Sequence, residues 1–234
     1  MFNFKKKEKM SEEEKNILKR VMMFYEMNKD LFVYYSKPSE KRKIIINIFK
    51  SLNYDALPNL GSVENHNINN NITIYRGISA KNNELLKKYV DDFINGEIFL
   101  GGRASIYGTG IYTVIGNLDL AKDYSSDGGR NNCGVTIESK LSNDTKIIEK
   151  EKIEIIRKFL IEKLKNSYKN DINNLTNILE DDGALAAILG YDAILVREKN
   201  YIIILNRSKL VINDTNLYEQ LDNLENNNSN NMKN

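Results

Sequence analysis

The stretch Ile72-Thr-Ile-Tyr-Arg-Gly-Ile-Ser79 is where the reading of this chain turns. Its apolar residues alternate with polar ones, the period of a short β-strand, and the strand ends in Arg76 followed by Gly77. A guanidinium is costly to bury without partners. It is also the side chain best shaped to grip a phosphate or carboxylate, because its planar fork donates two parallel hydrogen bonds. Gly77 has no side chain to keep a ligand off the backbone. Two readings therefore stand: a strand-end arginine that reaches solvent, and the first residue of a binding site.

Upstream of this strand the pattern is helical. Ser11-Glu-Glu-Glu14 fits a capping box, in which the hydroxyl and the third-position carboxylate exchange bonds with free backbone amides. It predicts a helix over 12–35 carrying Ile17, Val21, Phe24, Tyr25 and Met27 mostly on one side. Pro38 and Ser39 restart the chain into a second helix over 39–53, with Ile44, Ile45, Ile48, Phe49 and Leu52 inward. Residues 54–71, ending in Asn67-Ile-Asn-Asn-Asn71, read as a linker. Residues 1–60 are thus expected to be a helical region, 61–225 the main domain and 226–234 a disordered Asn-rich tail.

Downstream, 80–93 is expected to be helical and Glu97–Leu100 a short strand before the glycine-rich passage 101–113. A helix over 118–124, strands over 133–138 and 144–148, and helices over 150–168 and 171–180 follow. Asp182–Gly190 reads as a short helix closed by glycine. Tyr191–Val196 and Tyr201–Leu205 read as a hairpin around Arg197–Asn200, Ser208–Ile212 as an edge strand and 214–225 as the last helix.

Composition narrows the chemistry. With 234 residues, 41% of them hydrophobic, the chain can bury a sizeable core. A net charge of +2 gives no general pull towards nucleic acid or membrane. The longest apolar runs are too short to span a bilayer, and the basic start at Lys5–Lys9 lacks the apolar segment of a signal peptide. The single cysteine, Cys133, leaves no internal disulfide and no Cys-rich zinc site. The single histidine, His66, sits in the linker, so mechanisms built on paired histidines or a His-based triad have no material. No metal site is expected.

The passage Tyr107-Gly-Thr-Gly-Ile-Tyr-Thr113 lacks the Gly-Lys-Ser/Thr ending of a P-loop and the spacing of a dinucleotide fingerprint. It offers close backbone approach followed by an aromatic ring, Tyr112, and Tyr124 follows on the next helix. Two tyrosines bracketing such a cleft can sandwich a flat heterocycle, or can simply be half-buried with their hydroxyls in water.

These segments resemble the ADP-ribosyltransferase superfamily. Gly110-Ile-Tyr-Thr113 with Ala121-Lys-Asp-Tyr-Ser125 is similar to that family's Gly-Ile-Tyr-Phe and Ser/Ala-x-x-Tyr segment. Arg76-Gly77 resembles the Arg/His-Gly that opens its NAD site. Leu189–Val196 with Tyr201–Ser208 resembles the C-terminal half of such domains in phage minor head proteins and bacterial toxins, so that the resemblance covers about residues 72–212. It implies an α+β fold of two small, mostly antiparallel sheets around an NAD cleft, with the N-terminal helices as an extension.

The resemblance also implies roles. Arg76 would bind the phosphates or ribose of NAD, the Gly77 backbone the nicotinamide carboxamide, and Tyr112 and Tyr124 the nicotinamide ring; Ser105 and Thr113 stand near the family's Ser/Thr element. NAD would lose nicotinamide through an oxocarbenium-like transition state, which the protein stabilises by charge and positioning. The family's acid, the last of a Glu-x-Glu or Gln-x-Glu loop, falls here on Asn200, with Glu198 at the first position of the pair. Three options follow: Glu198 serves as the acid in a shifted register, the acceptor's own carboxylate substitutes for it, or the fold binds NAD without turnover. The expected function is a phage- or toxin-type mono-ADP-ribosyltransferase acting on a protein, held in the producing cell's cytoplasm or delivered from it. NAD glycohydrolysis and a non-catalytic module docking to a partner through the N-terminal helices are the alternatives.

Overall fold

The computed structural model describes residues 10–32, 37–61, 68–96, 106–126, 133–167 and 173–231. In chain order it contains α1 (Glu12–Met27), α2 (Pro38–Ser51), β1 (Asn59–Leu60), β2 (Ile68–Ala80), α3 (Asn83–Ile94), β3 (Ile111–Ile115), α4 (Leu118–Ser126), β4 (Cys133–Ser142), β5 (Ile147–Glu149) and α5 (Lys150–Ser167). These are followed by α6 (Asn173–Leu179), α7 (Asp182–Ile188), β6 (Ala193–Val196), β7 (Tyr201–Ile204), β8 (Leu210–Ile212) and α8 (Asp214–Asn231).

Among the described residues the strands form one mixed eight-stranded sheet in the order β1-β8-β4-β2-β3-β7-β6-β5, not the two small sheets expected. The pairs β1/β8 and β5/β6 are parallel and the others antiparallel. The physical reason lies at β2. It runs along β4 from Ala80↔Cys133 to Thr73↔Lys140, whereas β3 touches it only at Ile74↔Ile115 and Tyr75↔Val114. Two wings of four strands each are therefore joined by a narrow seam and part company on one side of it. β8, expected at an edge, lies between β1 and β4.

The sheet buries both faces. On one, Ile194, Val196, Ile203 and Leu205 pack with α1, α2 and α5–α7. On the other, Ile74, Ile111, Ile137, Ile202 and Ile204 pack with α3 and the start of α8. Val21 of α1 and Ile44, Ile45, Ile48 and Phe49 of α2 belong to the first of these cores, so the N-terminal helices complete it. Arg20 of α1 donates from Nε to the Ile188 carbonyl at the end of α7 at 3.0 Å. Each large apolar side chain buried there contributes about 1.5–3 kcal/mol.

Local signals formed as written. Ser11 and Glu14 close the capping box of α1. The helix ends at Met27, which is exposed, and a 3-10 turn over Lys29–Leu31 replaces its expected last turns. The β6–β7 hairpin turns through a 3-10 turn, Arg197–Lys199, with Asn200 left-handed at φ 53°. The supposed linker holds β1 and the start of β2. The glycine-rich passage gives way to β3, a central strand, and α8 continues past residue 225 to Asn231. His66 and the expected strand Glu97–Leu100 lie outside the described residues.

Two side chains do work that backbone usually does. Arg207 is 1% exposed and donates to the carbonyls of Asp55 (2.7 Å), Gly96 (3.0 Å), Phe93 (3.1 Å) and Ala56 (3.3 Å), tying the chain after α2 to the end of α3. Gln220 of α8 lies along β4 beyond the end of β8. Its Oε1 accepts from Thr136 N at 2.9 Å and its Nε2 donates to Thr136 O at 3.0 Å, the pair of bonds a neighbouring strand would make.

Candidate functional site

The site begins where β3 leaves β2. Gly116 N donates to Thr73 O at 2.9 Å, which makes Thr73/Gly116 and Tyr75/Val114 the positions whose backbone groups face across the seam. Continued in register, the next such pair would be Gly77 with Tyr112, but the pairing stops before it. Gly77 lies opposite Thr136, whose own N–H and C=O turn outward to Gln220, so the amide and carbonyl of Gly77 point towards β3. The Tyr112 carbonyl, turned towards β2, instead accepts from Arg76 Nη1 at 3.0 Å. Arg76 thus holds the split in place. Its guanidinium carbon lies 5.4 Å from the centre of the Phe93 ring. Burial lowers the guanidinium to about 10, which leaves it protonated at neutral pH.

Alternation along the strands puts Tyr75, Gly77, Tyr112, Val114, Tyr201 and Ile203 on one face of the sheet. Arg76 and Thr113 lie on the other. Thr113 is buried and donates from Oγ1 to Ile202 O at 2.8 Å, so it does not join Tyr112 in the position expected for a ligand contact. Ser105 lies outside the described residues.

One wall of a trough on the tyrosine face is α4. It seats directly on two glycines: a Cβ on Gly77 would overlap the Ala121 carbonyl and the Ser125 amide, and one on Gly134 would overlap the Ser125 carbonyl. Only glycine at both positions lets the helix lie this close, and it places Tyr124, 51% exposed, beside Gly77. Gly77 therefore has two jobs, seating α4 with the space where its side chain would be and presenting its backbone to the split.

The opposite wall is the loop from Tyr107 to Gly110, docked on α7. Asp181 caps α7 at Ala184 N (2.9 Å) and accepts from Thr109 N (3.0 and 3.1 Å) and Thr109 Oγ1 (2.7 Å). Gly108, at φ 89°, packs against Gly183 and Asp182, while Gly110 packs against Ile203. The glycines of this passage serve close packing inside the protein. Asp182 is buried and paired with Arg157 at 2.6 Å; burial raises its carboxyl above the usual range despite the neighbouring cations.

Tyr112 closes the loop on itself. Its hydroxyl accepts from Tyr107 N at 3.0 Å and donates to Gly108 O at 2.8 Å, and burial pushes the phenol up to about 12. Between the walls, Tyr201 meets the Tyr107 ring edge-on at 6.5 Å and shares a hydrogen bond of 2.6 Å with the Tyr124 hydroxyl. That bond is the first cause of the raised Tyr201 phenol, ahead of burial. Lys150 Nζ lies 5.4 Å over the Tyr107 ring and also pairs with Glu154.

The structure brings Arg76, Gly77, Tyr112 and Tyr124 together around the split. Glu198 does not join them: it is exposed in the turn before β7, at the opposite end of that strand from Ile203, the partner of Tyr112. Its neighbour Arg197 is held by Glu149, Nε to Oε1 at 2.8 Å. Asn200 accepts from Ile115 N at 2.8 Å. Sequence reasoning missed Tyr107 and Tyr201 as members of this wall-and-floor arrangement, although alternation along β7 puts Tyr201 on the face of Tyr112 once the two strands are paired.

Among the described residues no group of three His, Cys, Asp or Glu side chains is placed to hold a metal ion, and no helix is long and apolar enough to cross a membrane. No family model matches the chain, and no curated protein or solved structure matches it significantly.

Proposed function

We propose that this protein is a mono-ADP-ribosyltransferase of the ADP-ribosyltransferase-like fold, moving ADP-ribose from NAD to a protein acceptor. The observation that carries the reading is Gly77, whose amide and carbonyl both face the split, with Tyr112 and Tyr124 on the same face. A primary carboxamide has one acceptor and a donor side by side, so it complements one strand residue as a neighbouring strand does. A planar ring carrying that carboxamide would lie between two tyrosine rings. Nicotinamide has this shape. Its bond to the ribose breaks with the electron pair leaving on nicotinamide; the acceptor's nucleophile forms the new bond to that carbon and gives its proton to solvent.

Arg76 supports the site by fixing the split from the opposite face of the sheet, where its guanidinium donates to the Tyr112 carbonyl and packs over Phe93. Glu198 as the acid requires the 197–200 turn to rearrange, because it is exposed and the side chain before it is engaged with Glu149. Asn200 in the acid's place favours a second reading, an NAD-binding module with little or no turnover, in an effector or virion component whose partner is a protein.

Incubation of the purified protein with NAD labelled in the adenylate separates the readings. Nicotinamide release with label on protein supports transfer; release without label means hydrolysis. Binding without release supports the module, and then Asn200→Glu is expected to raise release. Absence of binding by the intact protein would sink all three. If Glu198→Gln leaves turnover unchanged, Glu198 is not the acid.

A further inference from the structure

We propose that Tyr201 is the positioning residue of this site, bridging the trough from the glycine-loop wall to the α4 wall and fixing the Tyr124 ring as a stacking surface; the proposal rests on reading the trough as a nicotinamide-ring site. Three observations meet at Tyr201. Its register opposite Val114 puts it on the face that carries Tyr112 and Gly77. Its ring meets Tyr107, whose amide is bonded to the Tyr112 hydroxyl. Its hydroxyl is bonded to that of Tyr124 at 2.6 Å.

What this bond controls follows from how α4 is held. The helix backbone is seated on Gly77 and Gly134 and does not depend on a tyrosine hydroxyl to stay there. The Tyr124 side chain is different. It is 51% exposed, and a ring so placed samples several rotamers unless something at its tip selects one. Tyr201 supplies that selection from a short strand paired on both sides, by β3 and by β6. A ring already held in place loses less entropy when a ligand stacks on it, and the gain is felt only by ligands that reach the ring.

The test uses Tyr201→Phe, which keeps the ring and its contact with Tyr107 but removes the hydroxyl, alongside Tyr124→Phe and the double variant. Ring-labelled tyrosine spectra, with Tyr124 assigned from Tyr124→Phe, should show its two-sided ring signals move towards the solvent-averaged position in Tyr201→Phe. Affinity for NAD and for nicotinamide mononucleotide should fall about three- to tenfold, the effect of one neutral hydrogen bond. Affinity for ADP-ribose, which lacks the ring, should not change. A purely structural role would weaken all three ligands together. The double variant should be no worse than either single one, since both delete the same bond. Unchanged Tyr124 signals in Tyr201→Phe, or losses that multiply in the double variant, overturn the proposal. If the unaltered protein binds none of these ligands, the nicotinamide-site reading fails, while the ring spectra still decide whether Tyr201 fixes Tyr124.

Discussion

Arg207 shows how a single side chain can hold distant segments together. One guanidinium satisfies four carbonyls from two segments that lie far apart in sequence. Burial lowers its pKa, but a guanidinium starts so far above neutral pH that the charge stays. Arg207→Met keeps most of the volume and leaves those carbonyls without a donor; it is expected to lower stability by at least about 3 kcal/mol, measured as a shifted urea midpoint. Tyr54 and Tyr112 make a second prediction. Both phenols are raised from 10.0 to about 12, chiefly by burial. Each holds its proton more tightly in the folded protein than in the unfolded chain. The stabilisation this gives is intact below pH 10 and is lost as pH rises towards 12. Alkaline unfolding should therefore fall in that window, and absorbance at the phenolate band should show late-titrating tyrosines, Tyr54 and Tyr112 among them, that rejoin the rest in denaturant. None of this was legible beforehand. Arg207 sits in a stretch, Asn206-Arg-Ser208, that looks like a polar loop, and its role depends on carbonyls that only the folded chain brings within reach.

At the scale of elements, the helix α4 is fixed by what its neighbours lack. Gly134→Ala puts a methyl group into the Ser125 carbonyl, and α4 has to lift. The expected cost is about 1–3 kcal/mol in thermal unfolding, together with a larger loss of NAD affinity than any change confined to the trough's outer rim. Elements with local signals could be read from the sequence. The Ser11–Glu14 box and the β6–β7 hairpin are decided by residues within a few positions of each other, and both formed. β3 was missed because glycines dominate the passage before it, although Thr113-Val-Ile115 is a β-branched run that favours a strand. The candidate site was half legible for the same reason. Arg76, Gly77, Tyr112 and Tyr124 stand out by residue type, whereas Tyr201 joins them only through the β3–β7 register. Thr113 was misplaced by one step of alternation, which in a strand is the whole width of the sheet.

For the molecule as a whole, the order of the sheet is the property least visible in the sequence, because β1 pairs with β8 across most of the chain's length. The N-terminal helices illustrate the consequence. Their amphipathic patterns were read correctly, but not their destination, which is the core under β6 and β7. Deleting residues 10–53 uncovers Ile188, Leu189 and the rest of that apolar surface, so the remainder is expected not to fold as a soluble monomer. Circular dichroism and sedimentation of the truncated protein would check this; a cooperative melt in the shortened chain would show the helices to be an appendage.

The Gln220 amide on Thr136 has a meaning beyond local bonding. Exposed strand edges recruit other strands, including those of a second molecule. The outer edges of this sheet are β1 and β5, two and three residues long, too short to template much. The flank of β4 next to α8 is longer, and there a side-chain amide occupies the place where a foreign strand would dock. Gln220 thus stands at that flank as a counterfeit strand. Gln220→Ala should change little in the melting of dilute protein yet raise light scattering with concentration and time, and amide exchange at Thr136 should quicken in the monomer before the scattering begins.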